Sequence, residues 1–162
     1  MSSNSLKAIM SKKTMKKHIY CAQCHFHSGQ CFCEQLLPVE SKIRFTIIMH
    51  HREYHLTSNT GRLGRNTLQD CDIILRGLED SSINWHEIIK PEEDTYILYP
   101  GEGAIEATKE NIKLTNDKKV HLIVPDGSWR QASKVYKREK ALKGIPCIML
   151  PQRNYVSNYF LR

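Results

Sequence analysis

The sequence predicts an α/β fold on a mainly parallel sheet, and three observations carry that expectation. Apolar runs of strand length recur from Ile43 onward, segments able to form helices stand between them, and each run gives way to a turn rich in glycine, proline or polar groups. Strands that alternate with helices are the pattern of a parallel sheet. The first strand is expected at Ile43 to Met49, followed by a helix near Gly61 to Asp70. A second strand, Asp72 to Leu75, leads to a short helical turn around Trp85, Ile88 and Ile89. Thr95 to Tyr99 is the third strand, with a helix near Ala104 to Leu114 after it. Val120 to Val124 is the fourth and hands over to a helix from Trp129 to Lys143, and Ile145 to Leu150 is the fifth.

Length and composition set the class. A chain of 162 residues, 40% hydrophobic and 25% charged, fits one globular domain with a modest core and a small appendage. No apolar run approaches the roughly 20 residues that cross a bilayer. The amino terminus has lysines but no apolar stretch, so it does not read as a secretory signal, and a cytoplasmic location is expected. The net charge of +7 is unevenly spread: residues 1 to 20 carry five lysines and no acid, Arg130 to Lys143 carry six basic residues and one acid, and the rest sums to −3. Two basic segments on a near-neutral body are the footprint of a polyanion binder, although a solvated tail and a solvated helix face would read alike.

Three stretches follow in order: residues 1–17 as a polar, basic, disordered tail, 18–40 as a cysteine-rich module, and 41–162 as the main domain. In the module Cys21, Cys24, Cys31 and Cys33 have the spacing C-x2-C-x6-C-x-C. Four thiolates so close together suit a tetrahedral structural zinc ion, which would organise a loop too small for a core of its own. Disulfides are disfavoured because nothing indicates export, and a redox Cys-x-x-C because no thioredoxin-like strand precedes it. His25 and His27 are alternative ligands within the loop, with surface positions or support of the ligands favoured for both. Cys71 and Cys147 sit in apolar runs and read as buried free thiols.

The chemistry is expected at the strand ends. After the first strand come His50, His51, Arg52 and Glu53, then Ser58 to Leu63. Arg52, Arg62 and Arg65 have the guanidinium fork that grips phosphate or carboxylate, although a surface loop with its own Arg–Glu pair has the same composition. After the third strand, Leu98-Tyr99-Pro100-Gly101-Glu102-Gly103-Ala104 offers glycines and free amides to a ligand, or is simply a turn. After the fourth, Gly127 allows a sharp turn and Ser128 has the oxygen of a helix N-cap. Asp126 is the one carboxylate between Asp117 and Glu139 and stands where ligands of open α/β sheets collect. Trp129, with Ala132 and Tyr136 behind it at helical spacing, reads as a wall of the site or as core, and Arg130, Lys134, Lys137, Arg138 and Lys140 as a basic helix face.

Asp126-Gly127-Ser128-Trp129 followed by Gln131-Ala132 resembles the signature of the DTW-domain family, where the turn usually reads Asp-Gly-Thr-Trp. His51-Arg52-Glu53 with Ser58-Asn59-Thr60-Gly61-Arg62-Leu63 is similar to a second family motif, Leu98-Tyr99-Pro100-Gly101 to a third, and the four cysteines to its amino-terminal cluster. The likeness runs in order from about Tyr20 to the end. It implies a tRNA-uridine aminocarboxypropyltransferase: S-adenosylmethionine gives its 3-amino-3-carboxypropyl group to N3 of a uridine and leaves as methylthioadenosine. It also implies a SPOUT-like catalytic domain, whose cofactor lies in a knotted region of the sheet. Ser128 replaces threonine and keeps the hydroxyl, and the chain stops at Tyr159-Phe160-Leu161-Arg162, where family members usually continue.

On this resemblance Asp126 is the expected catalytic residue, since a uridine imide is a weak nucleophile until N3 loses its proton. Leu98, Tyr99, Pro100, Gly101, Pro125, Asp126, Gly127, Ser128 and Trp129 are expected to hold the cofactor. His51, Arg52, Glu53, Asn59, Thr60, Arg62, Arg130 and Lys134 are expected to meet the tRNA. Two rival readings use the same residues: a non-catalytic RNA-binding module and a SPOUT-type RNA methyltransferase.

Overall fold

The computed structural model describes residues 19–78, 82–112 and 118–152. The basic tail at 1–17, His18 of the module and the terminal Tyr159 to Arg162 lie outside the described residues. Six strands form one sheet, β1 (Ile43–His50), β2 (Cys71–Arg76), β3 (Glu93–Leu98), β4 (Ile105–Glu106), β5 (Lys119–Asp126) and β6 (Cys147–Met149), in the order β2-β1-β5-β3-β6-β4. Every pairing is parallel. Among the described residues three α-helices accompany it: α1 (Gly61–Thr67), α2 (Trp85–Ile88) and α3 (Trp129–Arg138).

Alternation along the strands sorts side chains onto two faces. Ile48, Ile97 and Ile123 pack with Val135 of α3, Leu142 and Cys147 on one face. Ile47, Met49, Cys71 and Ile73 pack with Leu68, just beyond α1, on the other. Val120, Leu122 and Ile148 extend the interior towards β6. Cys71 and Cys147 are both buried free thiols, as their apolar runs imply.

The first face also buries charge. Arg44 donates to both oxygens of Glu93, at 2.9 and 2.5 Å, and to the Ile88 carbonyl. His121, wholly buried, meets Thr46 Oγ1 at 2.8 Å through Nε2 and Arg44 at 3.1 Å through Nδ1. Burial, then the Arg44 charge, lowers the His121 pKa to about 4. The network closes the amino-terminal half of the sheet beneath α2.

Three elements differ from expectation. In place of a helix over Ala104 to Leu114, the part within the described residues forms β4 and a turn. There the Ala107 amide donates to the Met149 carbonyl at 2.8 Å, while Asn111 donates to the Glu106 carbonyl at 2.9 Å. Side-chain hydrogen bonds of this kind offer the backbone an alternative to a helix. The helix expected to reach Lys143 stops at Arg138, and the chain passes through extended Glu139 into a 3-10 turn at Lys140–Leu142 that buries Leu142. Finally, β5 runs on to Asp126 and includes Pro125. Pro125 pairs opposite Ile48, but the register with β3 ends at Ile123, so the proline sits where β5 is paired on one side only.

That divergence positions the site. The connection from β1 leads to β2 on one side, whereas the connection from β5 leads towards β6 on the other. A parallel sheet binds ligands outside the carboxyl ends of strands at such a switch point. Here the ends belong to β1 and β5, with β3 parted from β5 next to them.

Candidate active site and metal centre

Asp126 ends β5 opposite Met49 of β1. Asn59, from the loop after β1, donates through Nδ2 to Asp126 Oδ2 at 2.8 Å. The other end of the Asn59 amide accepts from the Gly61 amide at 2.9 Å, so one side chain ties the carboxylate to the start of α1. Gly61 leaves room at this junction, because a Cβ would lie 3.0 Å from both Asp126 Oδ2 and Met49 Cε and would press on both side chains. Two motifs 67 residues apart are thereby joined. With Oδ2 engaged, Oδ1 is the oxygen able to meet a proton or a cationic group.

On the other side the chain turns at Gly127, whose φ of +133° a side chain rarely adopts. Ser128 Oγ accepts from the Gln131 amide, and Gln131 Oε1 accepts from the Ser128 amide at 2.7 Å, a complete capping box. Gln131 owes its place in the motif to that reciprocal bond. Trp129 is 73% exposed, which corrects its reading as core. Its ring lies 6.5 Å from Tyr99, which stacks on Tyr136 at 5.2 Å, so the β3 and β5 loops are bridged by aromatic rings. Arg130 is exposed and Lys134 half-buried on the same helix.

In the Leu98 to Gly101 loop, Leu98 pairs with Ile148 and the Gly101 amide donates to the Tyr99 carbonyl at 2.8 Å. The Ala104 amide donates to the Gly101 carbonyl at 3.1 Å. These two amides, expected to be free for a ligand, close the turn itself. Pro100 is exposed beside them.

The loop after β1 holds further residues expected to meet RNA. Arg52 and Thr60 are exposed, and the Glu53 amide closes a turn on the His50 carbonyl at 2.8 Å. His51 stacks on His50 at 4.6 Å, and its buried Nδ1 meets no partner among the described residues. Arg62 departs from expectation. It is 2% exposed, and its fork is turned inward onto the carbonyls of Tyr54 and Leu56, the latter at 2.7 Å. The Asn59 amide donates to the same Leu56 carbonyl at 3.1 Å. Arg62 therefore shapes the loop that carries Asn59, in place of the phosphate grip predicted for it.

The cysteines converge as their spacing implies. All four sulfurs lie within 4.8 Å of one another, with Cys21 to Cys33 and Cys24 to Cys31 at 3.8 Å. A tetrahedral zinc ion about 2.3 Å from each thiolate holds its sulfurs about 3.8 Å apart, so the set fits that ion. The six cysteines are free thiols. Amides of Cys24 and Gln23 lower the Cys21 pKa to about 6, while burial and the neighbouring thiols push Cys33 up to about 12.

His25 follows Cys24 with a φ of 60° and turns away from the sulfurs. Its Nδ1 lies 2.8 Å from Arg62 Nη1, and its ring meets Tyr54 edge-on at 5.1 Å and stacks on His55 at 5.7 Å. His27 accepts from the Gly29 amide and caps a single 3-10 turn. Neither histidine replaces a cysteine: His25 docks the module against α1. The non-ligand role favoured from the sequence agrees with this, while the contact with Arg62 spans 37 positions and has no local signal.

Among the described residues no helix is long and apolar enough to cross a membrane. No solved structure matches the chain. The family model described as the DTW domain matches residues 18–162, from the cysteine loop through the sheet and the Asp126 turn to the last residue. The chain therefore belongs to the DTW domain family, which associates it with tRNA modification.

Proposed function

We propose that the chain transfers the 3-amino-3-carboxypropyl group of S-adenosylmethionine to N3 of a tRNA uridine. The observation that carries the reading is Asp126, fixed by Asn59 at 2.8 Å at the switch point between β1 and β5. In the reaction the uridine N3–C bond forms, the carbon–sulfur bond of the sulfonium breaks, the N3 proton leaves and methylthioadenosine is released. S-adenosylmethionine supplies the electrophilic carbon. The chain's own residues bind and orient.

Asp126 accepts or orients the N3 proton through Oδ1 while Asn59 holds Oδ2. Tyr99 and Trp129 offer ring faces to a base, and the Pro125 to Ser128 and Leu98 to Gly101 loops border the cofactor. His51, Arg52, Glu53 and Thr60 flank the entrance on one side, with Arg130 and Lys134 towards RNA phosphate on the other. A SPOUT-like knotted arrangement belongs to the same proposal, as does zinc on the four cysteines as a structural ion.

The test compares Asp126→Asn with wild type in single-turnover transfer to unmodified tRNA. A general base contributes typically about 10²–10⁴-fold, so transfer should fall by that order while melting and tRNA binding stay near wild type. Near-normal transfer would remove Asp126 from the chemistry. Loss of cofactor affinity alone would make it a ligand of the cofactor's amino group.

A further inference from the structure

One turn along α1 from Gly61, a recess of about 340 Å³ lies between the cysteine loop and the helix, lined by Gln23, Tyr54, Arg62, Arg65 and Asn66 over Ala22 and Ile73. Its volume is at the lower end of small-ligand sites, roughly 300–1,000 Å³. Asp126 is not among its lining residues, and no carboxylate is.

The walls are rich in donors that the protein does not use. Arg62 Nε and Asn66 Nδ2 are buried and meet no acceptor among the described residues. A buried donor left unpaired costs about 1–3 kcal/mol. Arg62 also has a charge to balance. The acceptors of its fork are two neutral carbonyls, with the His25 ring beside them, so a guanidinium 2% exposed has no acidic partner in its hydrogen bonds, and the ionisable groups that favour its charge are Tyr54 and Cys24. Buried charges in proteins are ordinarily paired. Arg65, exposed at the rim, adds a second guanidinium, and Gln23 an amide. Arg62, Arg65 and Asn66 share one face of α1 by their i, i+3 and i+4 spacing.

We propose that this recess is a phosphate-binding site, the Arg65 fork and the Gln23 and Asn66 amides taking its oxygens and the ligand's charge balancing Arg62. Room beyond a single phosphate suits a phosphodiester with part of its sugar. The RNA backbone is then the source that matches the proposed function, and that assignment of source rests on it. The site itself does not, because free inorganic phosphate has the same chemistry.

The test uses the full-length, metal-loaded chain with Arg65→Ala and Asn66→Ala, which spare the buried Arg62. Inorganic phosphate, titrated against chloride at equal ionic strength, should shift the backbone amide resonances of Gln23, Arg65 and Asn66 in wild type and leave those of Gln23 and of the two alanines still in the double variant. For tRNA, the slope of log affinity against log salt should fall by about 0.7–0.9 in the double variant, the loss of one phosphate contact. Phosphate shifts with an unchanged slope would support the site and assign it to free phosphate. No shift and no change of slope would overturn it. Failure of wild type to bind tRNA would count against the proposed function while leaving the phosphate titration to decide this site.

Discussion

The loop after β1 and the loop after β5 meet at Asp126, yet one is anchored on a buried arginine and the other lies open. Residues 51–60 are held from beneath by Arg62, which is 2% exposed, and deliver Asn59 to the carboxylate. Beyond Asp126, Gly127, Ser128, Trp129 and Arg130 are all exposed, with Trp129 at 73%. The anchored side can fix a carboxylate because its backbone carbonyls are already engaged. The open side can receive a macromolecule because little has to be displaced. Substitutions on the two sides should therefore fail differently.

The largest effect is expected at Arg62. Arg62→Ala leaves the Tyr54 carbonyl without its Arg62 donor and the Leu56 carbonyl with the Asn59 amide alone, opens a void against His25 and should cost about 3 kcal/mol by denaturant melting. Arg62→Lys should recover little of this, since a point charge cannot serve both carbonyls as a fork does. Full stability in Arg62→Ala would mean that the anchored side is not held as described.

Acid should loosen the packed interior before the open loop. The folded His121 pKa of about 4 lies below the ordinary histidine value, so the unfolded chain binds more protons between about pH 6.5 and 4. Stability from keeping this ring neutral is complete above that window and is lost as pH falls through it, by about 3 kcal/mol at its lower edge. Replacing His121 by Gln should flatten the pH dependence of melting across the window. An unchanged profile would place the acid sensitivity elsewhere.

Trp129→Ala should be the mildest for the fold and the most informative about the open side. An exposed residue here should change stability by no more than about 0.5 kcal/mol. A ring that stacks on a base contributes about 1–3 kcal/mol to RNA binding, so tRNA affinity should fall by roughly tenfold. Destabilisation with unchanged RNA binding would make Trp129 part of the core after all.

Much of this was visible in the sequence where a short-range rule applied. The strands follow from apolar runs, the cysteine cluster from its spacing, and the Gly127 turn with its Ser128 cap from residues adjacent in the chain. Asp126 could be placed at a strand end, but its bond to Asn59 spans 67 positions and has no local signal. Arg62 was misread for a related reason. An arginine suggests a ligand until burial shows it serving the protein's own backbone. The Arg44, Glu93 and His121 network was hidden because polar residues within strands read as solvent-facing, while α2 covers them here. Ala104 to Leu114 misled in the opposite sense, since helix-compatible composition yields to β6 when the Ala107 amide finds the Met149 carbonyl.

The role proposed for Asp126 at the switch point depends on transfer of a particular group, and isotopes can read that group directly. S-adenosylmethionine labelled with tritium in its methyl group and with carbon-14 in its carboxypropyl chain should be incubated with unmodified tRNA and the metal-loaded chain. Carbon-14 is expected in uridine after digestion of the tRNA, with tritium recovered in methylthioadenosine. Tritium in the RNA, with carbon-14 left on S-adenosylhomocysteine, would make the chain a methyltransferase. RNA carrying neither label, although bound by the protein, would contradict catalysis at Asp126 altogether.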